Sequence, residues 1–362
     1  MKLETVFFEK IVLQPTSLCN LNCSYCYLPG RNKNHKMLPS VANQVAKALQ
    51  LLPHKVSLIW HGGEPLACGL NYFHKLIEPF SDLENSNQVT HFIQTNGTLI
   101  DTNFCSFFLE NKFRVGVSID GPAWANINRV DWNGKTSFSK IVEGIECLKS
   151  AKVPFSVIAV VNQENLNKAK ELFTFFCELG CTALGINIEE EEGINKSRFI
   201  CDDEKVTLFW ANLFSAWQSN PAIEIREFRY VLSWAKAVND GLIKQFLEHD
   251  FDIFPTITWN GDVIVLSPEF AGHKSEKYGS FVVGNVLEKP LMEILADAMD
   301  LPYVVDYRLG VKQCQKECKY FSFCQGGQAS NKFFELNTTN GTQTVCCRNS
   351  KQRLIDAVLR VL

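Results

Sequence analysis

The first 200 residues alternate short apolar runs with longer amphipathic stretches, and this alternation limits the possible folds more than any other feature. The short runs are rich in β-branched and aromatic residues, as is typical of strands. They cover residues 11–14, 56–60, 89–94, 114–119, 155–161 and 183–188. The helical candidates between them cover residues 39–52, 70–80, 102–110, 137–151 and 165–179. Such alternation predicts an α/β fold, a partial (β/α)6 TIM-like barrel that binds ligands at the C-terminal ends of its strands.

The pattern changes after residue 200, which predicts four segments. We expect the partial barrel over residues 1–200, a helical connector over 201–255, a small cysteine-rich domain over 256–350 and a C-terminal helix over 351–362. The acidic run 189–192 directly follows the sixth strand-like run. Its simplest interpretation is a solvated turn, and the alternative places a carboxylate at the mouth of the barrel.

Composition excludes several classes of protein. The formal net charge of -3 gives no reason to expect nucleic acid or an anionic membrane as a partner. No apolar stretch approaches the roughly 18 residues that a membrane span needs. The first ten residues carry charges of both signs and no apolar core, so they do not form a signal peptide. We therefore expect a cytoplasmic protein.

Fourteen cysteines are many for a cytosolic chain, where disulfides seldom persist. Six of them are scattered in apolar or helical contexts, and free cysteine is commonly a small buried hydrophobe. These six are Cys68, Cys105, Cys147, Cys177, Cys181 and Cys201. The others form an N-terminal group of three and a C-terminal group of five, which indicate metal chemistry.

The N-terminal group lies in one loop after the first strand-like run, as Cys19-x3-Cys23-x2-Cys26. Thiolates suit iron–sulfur clusters or zinc. A structural zinc site takes four protein ligands, which here would require His35 or a remote cysteine. Three thiolates instead leave one corner of a cubane open to an outside ligand.

This loop resembles the signature of the radical S-adenosylmethionine (SAM) superfamily, which also has an aromatic residue, here Tyr25, before the last cysteine. The resemblance implies a [4Fe-4S] cluster whose open iron is chelated by SAM. It further implies reductive cleavage of SAM to methionine and a 5′-deoxyadenosyl radical that abstracts a hydrogen atom. The electron would come from a flavodoxin, a ferredoxin or another reductase.

Two further motifs follow the second and third strand-like runs. Gly62-Gly63-Glu64-Pro65 resembles the family motif that holds the amino group of SAM, and its glutamate can accept a hydrogen bond from an ammonium. Asn96 lies in the polar segment that follows the third strand-like run, which we expect at the same mouth of the barrel.

The fourth strand-like run ends near Ser118 and Asp120, and Arg129 follows. The resemblance implies that Ser118 binds the ribose hydroxyls of SAM and that Arg129 binds its carboxylate. It also implies that Tyr25 flanks the adenine. Asp120 is a candidate catalytic residue.

The C-terminal group resembles the SPASM extension of radical SAM enzymes that modify peptides and proteins. It contains Cys314, Cys318, Cys324, Cys346 and Cys347. Full SPASM domains hold two auxiliary [4Fe-4S] clusters.

This sequence departs from the full pattern, because Leu266 and Gln328 stand where the family has further cysteines. The remaining ligands predict one auxiliary cluster held by Cys314, Cys318, Cys324 and Cys347, with Cys346 as the alternative to Cys347. Four cysteines could also hold structural zinc.

A narrower resemblance connects the chain with the cyclophane-forming radical SAM/SPASM maturases of ribosomal precursor peptides. It rests on segments 14–19, 60–65, 186–190, 266–269 and Asn331-Lys332-x2-Glu335. It implies a carbon–carbon bond between an aromatic ring carbon and a Cβ atom, and Glu269 is the candidate proton acceptor. The alternatives are thioether formation, epimerisation and sulfatase-type formylglycine formation. An iron–sulfur electron carrier or redox sensor is the alternative from a different class.

Overall fold

The computed structural model describes residues 6–196, 203–244 and 253–362. Unit 1 takes in the described residues of Met1–Val117, Arg129–Pro154 and Asp252–Val305. Unit 2 takes in those of Ser118–Asn128, Phe155–Phe251 and Asp306–Leu362. Each unit combines early and late parts of the chain, and the four predicted segments stay a prediction.

The strands are numbered in chain order. They are β1 Lys10–Leu13, β2 Val56–Trp60, β3 Val89–Thr95, β4 Arg114–Ser118, β5 Phe155–Val161, β6 Ala183–Ile188, β7 Glu224–Ile225, β8 Thr256–Ile257, β9 Asp262–Ile264, β10 Lys274–Ser275, β11 Gly279–Ser280 and β12 Val282–Asn285.

The sheet of unit 1 runs in the order β12-β9-β8-β1-β2-β3-β4. Strands β8 and β1 to β4 are parallel neighbours, whereas β9 and β12 are antiparallel additions. In register, Leu13 pairs with Trp60 and Thr95 pairs with Val117. The carboxyl ends of β1, β2 and β3 therefore meet at one edge, where the predicted SAM-site loops begin.

The sheet of unit 2 runs β5-β6-β7 and is parallel throughout. Buried residues alternate with half-buried ones along β5, so one face is fully covered. The predicted parallel α/β arrangement is thus present in each unit.

Helices follow the strands as the sequence predicted. They are Pro39–Leu49, Leu70–Ile77, Ser81–Asn85, Thr102–Glu110, Phe138–Ser150, Ala169–Leu179, Asp203–Ser219, Arg226–Asn239, Leu291–Ala298, Pro302–Glu317, Phe321–Cys324, Ala329–Leu336, Val345–Cys347 and Arg353–Val361. Local chemistry sets several ends: the Asp101 carboxylate accepts a 2.8 Å hydrogen bond from the Phe104 N–H, and Gly180 closes its helix in the left-handed conformation.

Several helical predictions were too long at one end or both. Residues 163–168 form a 3₁₀ helix before Ala169–Leu179, and a 3₁₀ turn at 78–80 ends the helix after Ile77. The C-terminal helix starts at Arg353 because a π-helical turn, Arg348–Gln352, precedes it.

Each unit has an aromatic core. In unit 1 the Trp60 indole N–H donates to Nδ1 of His91 at 3.0 Å, and the His91 ring stacks on Phe113 with centroids 4.9 Å apart. In unit 2 Trp210 and Phe228 are fully buried. Within the described part of the chain, no helix is both long and apolar enough to cross a membrane.

Candidate active site

The loop that carries the first three cysteines is fixed by backbone hydrogen bonds on both sides. The Cys19 N–H donates to the Arg31 carbonyl at 2.7 Å, and the Asn22 N–H donates to the Val130 carbonyl at 2.7 Å. The Cys26 N–H closes the loop onto the Cys23 carbonyl at 3.2 Å. These bonds hold the three thiols on one short, ordered segment of unit 1.

The Gly62-Gly63 turn packs directly against the entrance to that loop. Gly63 has a φ of +63°, and a Cβ atom there would lie 2.6 Å from the Leu18 carbonyl oxygen and 2.7 Å from that of Thr16. The Glu64 N–H also donates to the Leu18 carbonyl at 2.8 Å. Only glycine fits this position, because both clashing atoms belong to backbone.

Glu64 is a buried carboxylate with neutral hydrogen-bond donors around it. Its oxygens accept from the Thr95 hydroxyl at 2.6 Å, the Asn96 N–H at 2.7 Å and the Leu66 N–H at 3.0 Å. Burial raises the pKa of Glu64 to about 7, although these hydrogen bonds oppose the shift. Burial and then the Glu64 carboxylate raise the pKa of the Cys19 thiol to about 12, so the two groups lie close together.

Asn96, Arg129 and Tyr25 also lie in unit 1. The Asn96 amide donates to the Asn20 side-chain oxygen at 2.9 Å and to the Cys19 sulfur at 3.8 Å. The buried Arg129 guanidinium carbon lies 5.5 Å from the centroid of the Tyr25 ring. The structure therefore brings Asn96 against the cysteine loop and joins Arg129 to the aromatic residue of that loop.

Trp132 was missed by the sequence analysis. Its indole N–H donates to the Cys19 carbonyl at 2.9 Å, and its ring lies 5.8 Å from the Arg31 guanidinium carbon. The signal that could have found it is the Asn133-Gly134 pair, which favours a tight hairpin turn after Arg129.

Ser118 and Asp120 belong to unit 2. Ser118 is the last residue of β4. Asp120 is buried, its Oδ1 accepts from the Val160 N–H at 3.0 Å, and its own N–H donates to the Asn126 side chain at 3.0 Å. These bonds show how Asp120 is held, and its catalytic role stays a prediction.

Glu269 lies in unit 1 on the 3₁₀ turn Pro268–Phe270 and is half-buried. Its carboxylate accepts a hydrogen bond from the Ser267 hydroxyl. Leu266, which replaces a family cysteine, adopts a left-handed φ of 76° next to it. The role of Glu269 as a proton acceptor also stays a prediction.

The C-terminal cysteines belong to unit 2 and lie at helix ends. Cys314 is in the last turn of Pro302–Glu317, the Cys318 N–H donates to the Cys314 carbonyl at 2.9 Å, and Cys324 ends Phe321–Cys324. A hydrogen bond from the Cys347 thiol lowers the pKa of Cys324 to about 6. The backbone N–H groups that follow Cys324 contribute to the same shift.

The two adjacent cysteines face different groups. The Cys347 thiol is hydrogen-bonded to Cys324, and the Gln352 amide donates to the Cys347 sulfur at 3.6 Å. Burial and the Glu190 and Glu192 carboxylates raise the pKa of Cys346 well above its ordinary value. The structure thus groups Cys347 with the other C-terminal cysteines and turns Cys346 towards carboxylates.

The acidic run 189–192 is not a solvated turn, so that interpretation was wrong. Glu192 is buried and accepts from the Ser330 hydroxyl at 2.7 Å and the Asn331 amide at 2.8 Å. The Asn331 amide also donates to Glu190 at 2.7 Å. The Glu190 and Glu192 carboxylates thus receive their hydrogen bonds from the helix Ala329–Leu336, which is distant in the sequence.

Several of the scattered cysteines are buried as expected, namely Cys68, Cys105 and Cys181. Cys147 and Cys177 are only half-buried, and Cys201 lies outside the described residues. Among residues 6–196, 203–244 and 253–362, no three His, Cys, Asp or Glu side chains converge closely enough to hold a single ion. The cysteine sets are therefore assigned by their positions and neighbours.

Comparison with known proteins identifies the family. Residues 13–176 match the model of the radical SAM superfamily. The uncharacterized protein sll1766 of Synechocystis is 34% identical over 97% of this chain and 91% of its own length. The cysteine-type anaerobic sulfatase-maturating enzyme of Clostridium perfringens is 28% identical, with 88% of each chain covered.

A solved structure of native anSMEcpe with bound AdoMet and Cp18Cys peptide shares the fold. Its TM-score is 0.76 at 24% identity, and the match covers 97% of this chain and 96% of that one. The chain belongs to the radical SAM superfamily, and its α/β fold is the partial barrel of that superfamily. It is an enzyme that uses a [4Fe-4S] cluster and SAM.

The residues of unit 1 fit these cofactors. Cys19, Cys23 and Cys26 provide three soft ligands for a cluster. Glu64 is a buried carboxylate that accepts hydrogen bonds from three neutral donors, which suits the ammonium end of SAM. The Gly63 turn keeps side-chain atoms away from the cysteine loop at the same edge of the sheet.

Proposed function

We propose that this enzyme modifies a ribosomally made precursor peptide by joining an aromatic ring carbon to a Cβ atom. The observation that carries the proposal is the presence of two separate cysteine sets in one chain, three cysteines in one loop of unit 1 and a set of four in unit 2. Leu266 and Gln328 provide no thiol for a second auxiliary cluster. One fully ligated cluster is enough to accept one electron.

In this proposal the chain holds its cofactors with residues from several strand ends. Glu64 accepts hydrogen bonds from the SAM ammonium, Arg129 pairs with the SAM carboxylate, Ser118 contacts the ribose and Tyr25 flanks the adenine. Asn96 holds the cysteine loop from the side.

Cys314, Cys318, Cys324 and Cys347 hold the auxiliary cluster, within the segment 256–350 that we take as the SPASM-like domain. When bound, SAM and the first cluster would supply hydrogen-atom abstraction, and an auxiliary cluster held by these cysteines would supply an acceptor for the electron that the new bond releases.

The proton released with that electron needs a base, for which we propose Glu269. Its carboxylate already accepts a hydrogen bond from Ser267, which fixes its direction. Glu269→Gln should lower crosslinking at least ten-fold while SAM cleavage continues. Glu276→Gln, an exposed carboxylate in the same unit, is the matched control. Full crosslinking by Glu269→Gln would remove Glu269 from the mechanism.

Sulfatase-type formylglycine formation is the second candidate, because the Clostridium perfringens relative named above is a sulfatase-maturating enzyme and the match covers 88% of each chain. A thioether-forming or epimerising enzyme would use the same unit 1 site. The proposal also includes a flavodoxin or ferredoxin as the electron donor. It places the enzyme in the cytoplasm, where so many free thiols stay reduced.

The test is co-expression with a candidate precursor peptide taken from the small open reading frames found near this gene, followed by mass spectrometry of the peptide. Crosslinking predicts the loss of two hydrogen atoms and missing fragment ions between the joined residues. Formylglycine predicts a product that reacts with hydrazides, and epimerisation predicts an unchanged mass. Cys19→Ala is the inactive control, and a hydrazide-reactive product would replace our proposal with the second candidate.

A further inference from the structure

Lys332 is a buried ammonium that the proposed function does not use. It lies on the helix Ala329–Leu336 and is 2% exposed. Within the described part of the chain, its Nζ has no hydrogen-bond partner. Nζ lies 5.1 Å from the centroid of the Tyr307 ring, whose hydroxyl donates to the Gly327 carbonyl at 2.6 Å. A buried charge without a partner is strongly unfavourable, so this site favours a nearby source of negative charge.

The nearby carboxylates are bonded to other groups. Glu192 accepts from Ser330 and Asn331, and Glu190 accepts from Asn331. The helix thus presents two neutral donors to the acidic run and places its one lysine elsewhere.

When they bind a cluster as thiolates, the C-terminal cysteines are the source of negative charge for Lys332. The Tyr307 ring beside its Nζ is bonded through its hydroxyl to Gly327, which lies three residues after Cys324. Burial lowers the pKa of Lys332, whereas Cys314, Cys324 and Cys347 raise it, and these are three of the four proposed ligands of the auxiliary cluster. The buried Lys332 side chain therefore lies beside the segment that carries the proposed ligands.

We propose that Lys332 is the counter-charge of the auxiliary cluster and favours its reduced state. Four thiolates outweigh the cationic iron–sulfur core, and reduction adds a further negative charge. A fixed positive charge then stabilises the reduced cluster more than the oxidised one. The inference rests on the proposed function, since it makes the cluster a better acceptor for the electron released by the substrate.

The experiment isolates the auxiliary cluster in the full chain by replacing Cys19, Cys23 and Cys26 with alanine. Lys332→Met, Lys332→Arg and Lys316→Met are made in this background. Lys316 is an exposed lysine two residues from Cys314 and from Cys318, so solvent screens its charge. Iron content and the reduced fraction, measured by electron paramagnetic resonance at fixed solution potentials, are the readouts.

Lys332→Met should lower the ratio of reduced to oxidised cluster about ten-fold at a given potential. Lys332→Arg and Lys316→Met should stay within about two-fold of the parent. If Lys332→Met cannot hold iron but Lys332→Arg can, the counter-charge is also supported. A ratio unchanged in Lys332→Met, or iron lost from both Lys332 variants, would overturn the inference. Absence of iron from the parent would instead refute the auxiliary cluster itself.

Discussion

The N-terminal and C-terminal cysteine sets place opposite charges beside the same kind of ligand. In unit 1 the buried group next to Cys19 is the Glu64 carboxylate, whereas in unit 2 the buried group facing Cys324 and Cys347 is the Lys332 ammonium. A carboxylate calls for a cationic ligand such as the ammonium of SAM. An ammonium favours added negative charge on the cluster itself. The difference fits our proposal, in which the first site donates an electron and the second accepts one.

The largest expected effect is on SAM cleavage, which should depend on the N-terminal cysteine set and not on the C-terminal one. Replacing Cys19, Cys23 and Cys26 with alanine should lower 5′-deoxyadenosine formation at least a thousand-fold, because no cluster remains to reduce SAM. Replacing Cys314, Cys318 and Cys324 should leave SAM cleavage and abolish the modified peptide. Chromatography of 5′-deoxyadenosine checks both. If both triple variants fold and neither cleaves SAM, the division of labour is wrong.

The next test determines whether Cys346 or Cys347 is the cluster ligand. Cys347→Ser should reduce bound iron from about eight to about four atoms per chain, since the auxiliary cluster loses a ligand. Cys346→Ser should keep about eight, because its thiol faces Glu190 and Glu192. Iron analysis of anaerobically prepared protein provides the measurement, and the reverse pattern would make Cys346 the ligand.

A glycine in each site provides a matched pair. Gly63→Ala should cost about 4 kcal/mol or more, because its Cβ would clash with two carbonyl oxygens. Gly327→Ala should cost only about 1 kcal/mol. Gly327 has a similar φ of +74°, but its Cβ would meet nothing within 4 Å. Urea unfolding of the metal-free variants measures both costs, and equal costs would show that the cysteine loop of unit 1 can relax.

The smallest effect concerns the pH dependence of stability. The folded-state pKa of Glu64 is about 7 against an ordinary value of 4.5, so the folded state holds a proton that the unfolded state releases. The free energy of unfolding of the metal-free protein should therefore fall by about 3 kcal/mol between pH 4.5 and pH 8 because of this group. Glu64→Gln should remove that fall, whereas the exposed Glu110→Gln should not. A Glu64→Gln profile parallel to that of the parent would contradict the prediction.

Much of the barrel could be predicted because local sequence encodes it. The bounds of β2, β5 and β6 agree with the predicted strands, since each is a short apolar run between polar turns. The loop of Cys19, Cys23 and Cys26 was equally visible, because its ligands lie within eight residues.

What the sequence did not reveal depends on distant contacts. The run 189–192 reads as polar surface, and only the later helix Ala329–Leu336 explains why Glu192 is buried. Cys346 and Cys347 are indistinguishable as neighbours in the sequence. Their directions are set by the short helix Val345–Cys347 and the π-helical turn after it.

The hydrogen bond between Glu190 and Asn331 spans 141 positions, which has a consequence during synthesis. At ordinary translation rates the ribosome needs roughly 10–30 s to make that stretch, and until then these carboxylates have only water to bond. The thiols of residues 19–26 emerge together and can be loaded early. Those of residues 314–347 emerge with the end of the chain. We therefore expect iron to reach the N-terminal cysteines before the C-terminal ones during synthesis.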